Sequence, residues 1–208
     1  RNFLIGGESI NQSTAKKFLG FDPEIPLILI LGGSQGSASV NDFFFDAAPE
    51  LLRDFQIFHQ TGSKNFEIAK QELNSISKKL GEREKSRYKL ASYFENNLRD
   101  VLTAADIVVS RAGSGSIFEL AALGKPSILI PLPESANNHQ VLNAYEYAKD
   151  GAAIVIEENN LKPNIMLGQL KNIAYSPEKL KSMSEAAKKF AKPDAADKIA
   201  EGILELAQ

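Results

Sequence analysis

At 208 residues, 43% of them hydrophobic and 24% charged, the chain has the composition of an ordinary globular protein with apolar material for one good core or two small ones. A net charge of −2 argues against the broad basic surface that a nucleic-acid partner requires, and the absence of cysteine removes disulfides, thiolate nucleophiles and thiolate metal sites together. Two histidines are too few for a histidine-rich metal site, and apolar runs of fewer than ten residues are too short to cross a bilayer as a helix.

In chain order, residues 1–25 are polar, carry a predicted short helix at Ser13 to Leu19 followed by Asp22 and Pro23, and read as a linker into the first strand. The chain opens on Arg1 without a methionine and is expected to be a piece of a longer protein. Short aliphatic or β-branched runs then recur at 27–31, 55–59, 88–93, 106–110, 126–131 and 152–157, separated by segments with helical spacing. Continuous apolar character marks strands buried on both faces, and alternation with helices marks right-handed βαβ units. The expected fold is therefore α/β, an open parallel sheet with helices on both faces. Ser176 before Pro177 and Glu178 reads as a helix cap, and Pro193 with Asp194 as the opening of a last helix over about 194–207. Lysines 179, 181, 188, 189, 192 and 198 make the C-terminal region basic, but interspersed acids favour a solvated face over a lipid-binding one.

Ligands of open parallel sheets bind at the carboxyl ends of the strands, so the loops that follow the strands carry the functional reading. After 27–31 comes LGGSQGSASVND, where Gly32, Gly33 and Gly36 allow a sharp turn close to a ligand and Ser34 and Gln35 add donors. A phosphate fits this loop; so does a plain strand-to-helix turn that needs glycine for geometry alone. Asn41, one turn into the helix, either orients the loop or faces solvent.

After 106–110 comes RAGSGSIFEL, a glycine and serine turn at Gly113, Ser114, Gly115 and Ser116 with Glu119 one turn into the helix. Neither the dinucleotide fingerprint nor the P-loop motif fits it, because Phe118 stands where a third glycine belongs and GK at 124–125 is followed by proline. Unpaired N–H groups at a helix start hold anions, and a carboxylate accepts two vicinal hydroxyls, so the pair suggests a nucleotide with its ribose edge. Alternatively, Glu119 only complements the helix dipole. The third loop, PLPESANNHQVLNA after 126–131, concentrates amides around His139 and Gln140, a set suited to a neutral hydroxyl-rich ligand, although a lone histidine among amides is more often structural than a base.

These loops, with HQTG at 59–62, ADIVVSRAGSGSIFELAALGKPSILIPLP at 105–133 and NHQVLNA at 138–144, resemble in order and spacing the C-terminal half of the MurG family, two-domain GT-B glycosyltransferases of peptidoglycan synthesis. The likeness runs from about residue 25 to the last helix. It implies a Rossmann-like domain over 26–208 that binds UDP-GlcNAc, and inverting, metal-independent transfer of N-acetylglucosamine to undecaprenyl-linked lipid I with no cofactor. It also implies a lipid acceptor held by a missing N-terminal domain towards which the last helix packs, and a peripheral location on the cytoplasmic face of the bacterial inner membrane.

By the same resemblance, Ser34 touches the donor phosphates and the backbone at Phe94 and Glu95 meets uracil. The turn from Gly113 to Ser116 lies on the diphosphate, Glu119 accepts from the ribose, His139 and Gln140 reach the ribose or sugar, and Arg1 stands at or beside a linker arginine that contacts uracil. The family places a threonine where Ser116 stands and a small residue near Phe118. No catalytic base is assigned, and this chain alone is expected to be inactive. Two other readings share the same loops: a different GT-B UDP-sugar enzyme, such as a galactolipid synthase or a UDP-GlcNAc epimerase, and a non-catalytic donor-binding subunit that recruits a membrane partner.

Overall fold

The six aliphatic runs become the six strands of one parallel sheet in a computed structural model of the chain, which describes residues 10–33, 36–95, 97–133, 135 and 138–206. The order along the chain is α1 (Gln12–Phe18), β1 (Leu27–Leu31), α2 (Ala38–Leu51), β2 (Gln56–Gln60), α3 (Phe66–Ser77), α4 (Glu82–Lys85), β3 (Tyr88–Ala91) and α5 (Leu98–Ala104). It continues with β4 (Ile107–Ser110), α6 (Ser114–Ala122), β5 (Ser127–Leu129), α7 (His139–Ala148), β6 (Ala153–Val155), a 3-10 turn at Glu158–Asn160, α8 (Pro163–Ala174), α9 (Pro177–Phe190) and α10 (Ala195–Leu206).

The strands lie in the order β3-β2-β1-β4-β5-β6 and all pair in parallel. Every residue of β1 is buried because the strand feeds two cores at once. Ile28 and Ile30 join Phe44, Leu51 and Leu170 on one face, whereas Leu29 and Leu31 join Val101, Leu120 and Tyr147 on the other. This is why LILIL runs without polar alternation: a strand covered by helices on both sides has no solvent face.

Helix ends follow the sequence signals. Ser176 accepts from the Lys179 N–H and Pro177 takes the first turn of α9, so the cap satisfies a donor that the proline leaves behind. Asn11 caps α1 in the same way through Thr14 N, placing the short helix one residue earlier than its predicted span. Residues of the predicted lead-in pack onto the domain, with Ala15 and Phe21 buried beside Leu27. Helix α10 begins at Ala195, just after the predicted Pro193–Asp194 start, and leaves Ile199, Ile203, Leu204 and Leu206 more than 60% exposed.

The chain leaves β1 towards β2 and β3 on one side, then returns to start β4 on the other. Strand order therefore reverses between β1 and β4, and the loops that follow them splay apart to open a crevice at the carboxyl edge.

Candidate functional site

That crevice is a cleft of about 200 Å³ lined by Leu31, Gly33, Gln60, Tyr93, Phe94, Leu98, Gly115, Ser116 and Glu119. It joins segments far apart in sequence: the glycine loop after β1, the turn after β3 and the start of α6. Of the sequence-predicted residues it brings together Gly33, Phe94, Gly115, Ser116 and Glu119. Gly113 and Ser114 begin the same helix, Gly113 as its N-cap, and Glu95 is the exposed residue next to Phe94. Ser34, Gln35 and Arg1 lie outside the described residues.

The glycines divide by what they are for. Gly36 has a φ of 76°, and a Cβ there would collide with the Thr61 carbonyl, so the fold itself demands glycine. Gly113 and Gly115 are different. Neither adopts the left-handed backbone, and open space surrounds the position each Cβ would take. Nothing among the described residues requires a glycine at either place. In α6 the N-cap Gly113 offers no side chain to the first N–H groups, so the helix presents bare amides to the cleft. Glycine that the described residues do not require, at a helix start with no side-chain cap, leaves room for an external anion.

Phe94 is a brace. It is 3% exposed and its ring meets Phe58 edge-on at 4.9 Å, which fixes the turn against the core. Phe118 is half-exposed and tilts against Phe190 at 6.0 Å, pointing away from the lining; this explains how a bulky residue is tolerated in the helix.

Asn41 does not face the cleft. It is 3% exposed, its Nδ2 donates to Thr61 O at 3.1 Å, and its Oδ1 lies 3.0 Å from His59 Nε2. His59 in turn sits 2.8 Å from the Tyr88 hydroxyl through Nδ1. Since an amide oxygen only accepts, His59 donates from Nε2 and receives the Tyr88 hydroxyl at Nδ1, which fixes a neutral tautomer. Complete burial pushes its pKa from 6.5 down to about 3.

The sign of the linkage follows. The unfolded chain binds a proton below 6.5 that the folded chain refuses until about 3, so this stability is whole above pH 6.5 and is lost as pH falls through that interval. Urea unfolding between pH 6.5 and 4.5 is expected to lose about 1 kcal/mol per pH unit. A His59→Gln chain should lack this slope, and an unchanged slope in that variant would contradict the assignment.

His139 and Gln140 open α7 outside the cleft lining. His139 is exposed, while Gln140 receives Leu132 N on Oε1 and donates its own N–H to Ser135 Oγ, both at 3.1 Å. Asn143 Nδ2 reaches Ala112 O at 3.3 Å, so the third loop is tied to the start of the second.

Two residues with no role assigned from sequence hold the edge of the sheet together. Gln60, the last residue of β2, lies on the cleft floor. Arg111, 9% exposed, donates to Ser37 Oγ at 2.7 Å and to the carbonyls of Ile130 and Pro131, and pairs with Glu158 at 2.6 Å. Burial would raise Glu158, but hydrogen bonds from Ser39 and Arg111 and the Arg111 charge hold it below the ordinary carboxylate range. Among the described residues, no three His, Cys, Asp or Glu side chains converge as a metal set.

A reversal of strand order with a glycine helix start on one side of the crevice and a carboxylate one turn in defines an open parallel α/β domain with a cleft at its switch point. Comparison with known proteins narrows that class. Residues 27–199 match the C-terminal domain of glycosyltransferase family 28, and the chain belongs to that family. A UDP-N-acetylglucosamine--N-acetylmuramyl-(pentapeptide) pyrophosphoryl-undecaprenol N-acetylglucosamine transferase of Lactobacillus gasseri is 35% identical over 198 residues, covering 94% of this chain and 51% of the relative. The equivalent protein of Listeria welshimeri is 36% identical over 196 residues, covering 94% and 52%.

Among solved structures, MurG of Acinetobacter baumannii superposes with a TM-score of 0.76 at 24% identity, covering 98% of this chain and 55% of that one. A UDP-GlcNAc 2-epimerase of Neisseria meningitidis gives 0.62 at 13% identity, covering 92% and 48%. These structural likenesses establish the fold. The chain spans about half the length of the curated relatives it matches.

Proposed function

We propose that this chain is the donor-binding half of a glycosyltransferase that moves N-acetylglucosamine from UDP-GlcNAc to an undecaprenyl-pyrophosphoryl-linked muramoyl pentapeptide. The observation that carries the reading is the pair of glycines at 113 and 115, which no φ angle or contact among the described residues explains, at the start of α6 in the switch-point cleft, where the N-cap offers no side-chain hydrogen bond. The relatives named above supply the sugar and the acceptor.

When the bond between the anomeric carbon and the diphosphate breaks, negative charge grows on the departing UDP. Amides already aimed at that position stabilise the charge without reorganising, which is how this half lowers the barrier. Glu119 would accept the ribose hydroxyls, and the backbone at Phe94 and Glu95 the uracil. Acceptor binding and any general base are assigned to the part of the relatives' length that this chain does not span. The exposed apolar side of α10 is assigned as a packing surface towards that part, with residues 10–25 as the lead-in. No described helix is long and apolar enough to cross a membrane. A lipid-linked acceptor is the support for assigning the whole protein to the cytoplasmic face of the bacterial inner membrane as a peripheral component.

Calorimetric titration with UDP, UDP-GlcNAc and NAD tests the donor reading. Binding of the two uridine ligands over NAD is expected; no binding of UDP, or a preference for NAD, overturns it. Glu119→Ala should weaken UDP about tenfold while leaving inorganic pyrophosphate within about twofold, since a carboxylate that grips two hydroxyls has nothing to offer a bare phosphate. Equal loss on both ligands would refute the ribose role.

A further inference from the structure

Gln60 is 4% exposed on the cleft floor, on the strand that pairs with β1 through Leu31 and with β3 through Ala91. Its Nε2 donates to Gly33 O at 3.1 Å, and its Oε1 accepts from Phe94 N at 3.3 Å. The carboxamide therefore lies between the glycine loop after β1 and the turn after β3, with its donor end on a carbonyl and its acceptor end on an N–H.

We propose that Gln60 is a positioning residue that sets the phosphate end and the base end of the cleft as one unit, by turning the Gly33 carbonyl away from the ligand and the Phe94 N–H inward. The proposal rests on reading the cleft as a nucleoside-diphosphate site.

The chemistry of the side chain supports it. Gly33 has a φ of 82° with open space on its Cβ side, so its peptide is free to rotate unless something holds it. Its carbonyl is held twice, by Gln60 Nε2 and by Gly36 N at 3.2 Å. A carbonyl oxygen released into the cleft would meet phosphate oxygens with like partial charge, so keeping it inward removes that repulsion. At the other end, Phe94 is pinned by its ring on Phe58 and by its N–H on Gln60. One side chain must donate at one end and accept at the other, at this length. Glutamine does so, glutamate offers acceptors at both ends, leucine offers neither, and asparagine is a methylene shorter.

The test uses the full chain as wild type, Gln60→Leu and Gln60→Glu, titrated with UDP at pH 8 and pH 6, with circular dichroism as a check on folding. Gln60→Leu should bind UDP about tenfold more weakly at both values, because the Gly33 carbonyl is then held by the Gly36 N–H alone and the Phe94 N–H loses its acceptor. Gln60→Glu should be at least as weak at pH 8. A buried carboxyl protonates readily and, once protonated, donates at one end and accepts at the other as glutamine does. Its Kd relative to wild type should therefore return to within about threefold at pH 6. Glu119 is a carboxylate lining the same cleft and is common to all three chains, and its negative charge further favours the protonated form of a carboxyl at position 60.

A merely structural role would lower the melting temperature of both variants without this pH-dependent return. The proposal is overturned if Gln60→Leu binds UDP within twofold of wild type, or if the Gln60→Glu ratio does not change with pH. The second readout decides alone should the leucine variant fail to fold. Failure of the wild-type chain to bind UDP would instead defeat the underlying reading of the cleft, and this proposal with it.

Discussion

Gly115→Asp is expected to weaken UDP by about a hundredfold while leaving the melting temperature unchanged or raised. The two effects have opposite signs because they draw on the same amides. Position 115 is the second residue of α6, its backbone is not left-handed, and nothing occupies the space a Cβ would take. An acid in the first turn of a helix is favourable by about 0.3–1 kcal/mol, and replacing a helical glycine recovers some backbone entropy, so the folded chain should gain. A diphosphate seated on those amides would now meet a fixed carboxylate. A glycine that served only the turn would give the reverse pattern, with stability lost and ligand affinity untouched. Differential scanning calorimetry and UDP titration of the one variant separate the two. Gly115→Ala should show the same signs at smaller amplitude.

The second large effect lies at the opposite, amino end of the sheet. Asp106 precedes β4 and binds Lys16 Nζ at 2.7 Å, Leu27 N at 2.6 Å and Gln12 Nε2 at 3.0 Å. Lys16 is 4% exposed, and its remaining partners are the carbonyls of Pro23 and Ile25. Lys125 stands nearby on the carbonyls of Thr103 and Ala105, and burial pulls its pKa down to about 8 against the opposing pull of Asp106. Asp106→Ala would strand one buried ammonium and remove the counter-charge of a second.

A broken buried pair costs about 3–5 kcal/mol. In a chain of this size that corresponds to a fall in melting temperature of roughly 10 °C. Lys16→Met in the same background should recover a substantial part of the loss, because the stranded charge is then gone. A single variant that melts within about 2 °C of wild type would show that the cluster contributes little.

The strands were legible because the runs are short, rich in aliphatic and aromatic residues and separated by helical spacing; β1 matches its predicted span, and β2 is displaced by one residue to include Gln60. That single residue matters. With the run ended at His59, Gln60 fell outside the strand and its loop was read only through the HQTG likeness. A polar residue at the carboxyl end of a buried strand in an open parallel sheet is the signal that would have found it. Strand order was not legible, since parallel neighbours joined by helices leave no local trace of their pairing.

Arg111 was visible in SRAGSGS, yet its partners Ser37 and Glu158 come from distant parts of the chain, and no spacing rule links them. The reverse holds for GK at 124–125. Tested as a phosphate motif and set aside, it proves to be a helix end, with Gly124 at a φ of 59° and Lys125 half-buried at the amino end of the sheet. Asn41 drew attention for its place near the glycine loop, but its side chain is spent on Thr61 and His59, partners that come from a different loop and strand.

A crystal structure of the chain with UDP tests the account most directly. The diphosphate should sit between the loop after β1 and the first turn of α6, within hydrogen-bond reach of the backbone amides at Gly115 and Ser116, with the ribose hydroxyls on the Glu119 carboxylate and the base against the turn at Phe94. UDP bound anywhere other than this cleft, or a diphosphate that touches neither corner, would contradict it.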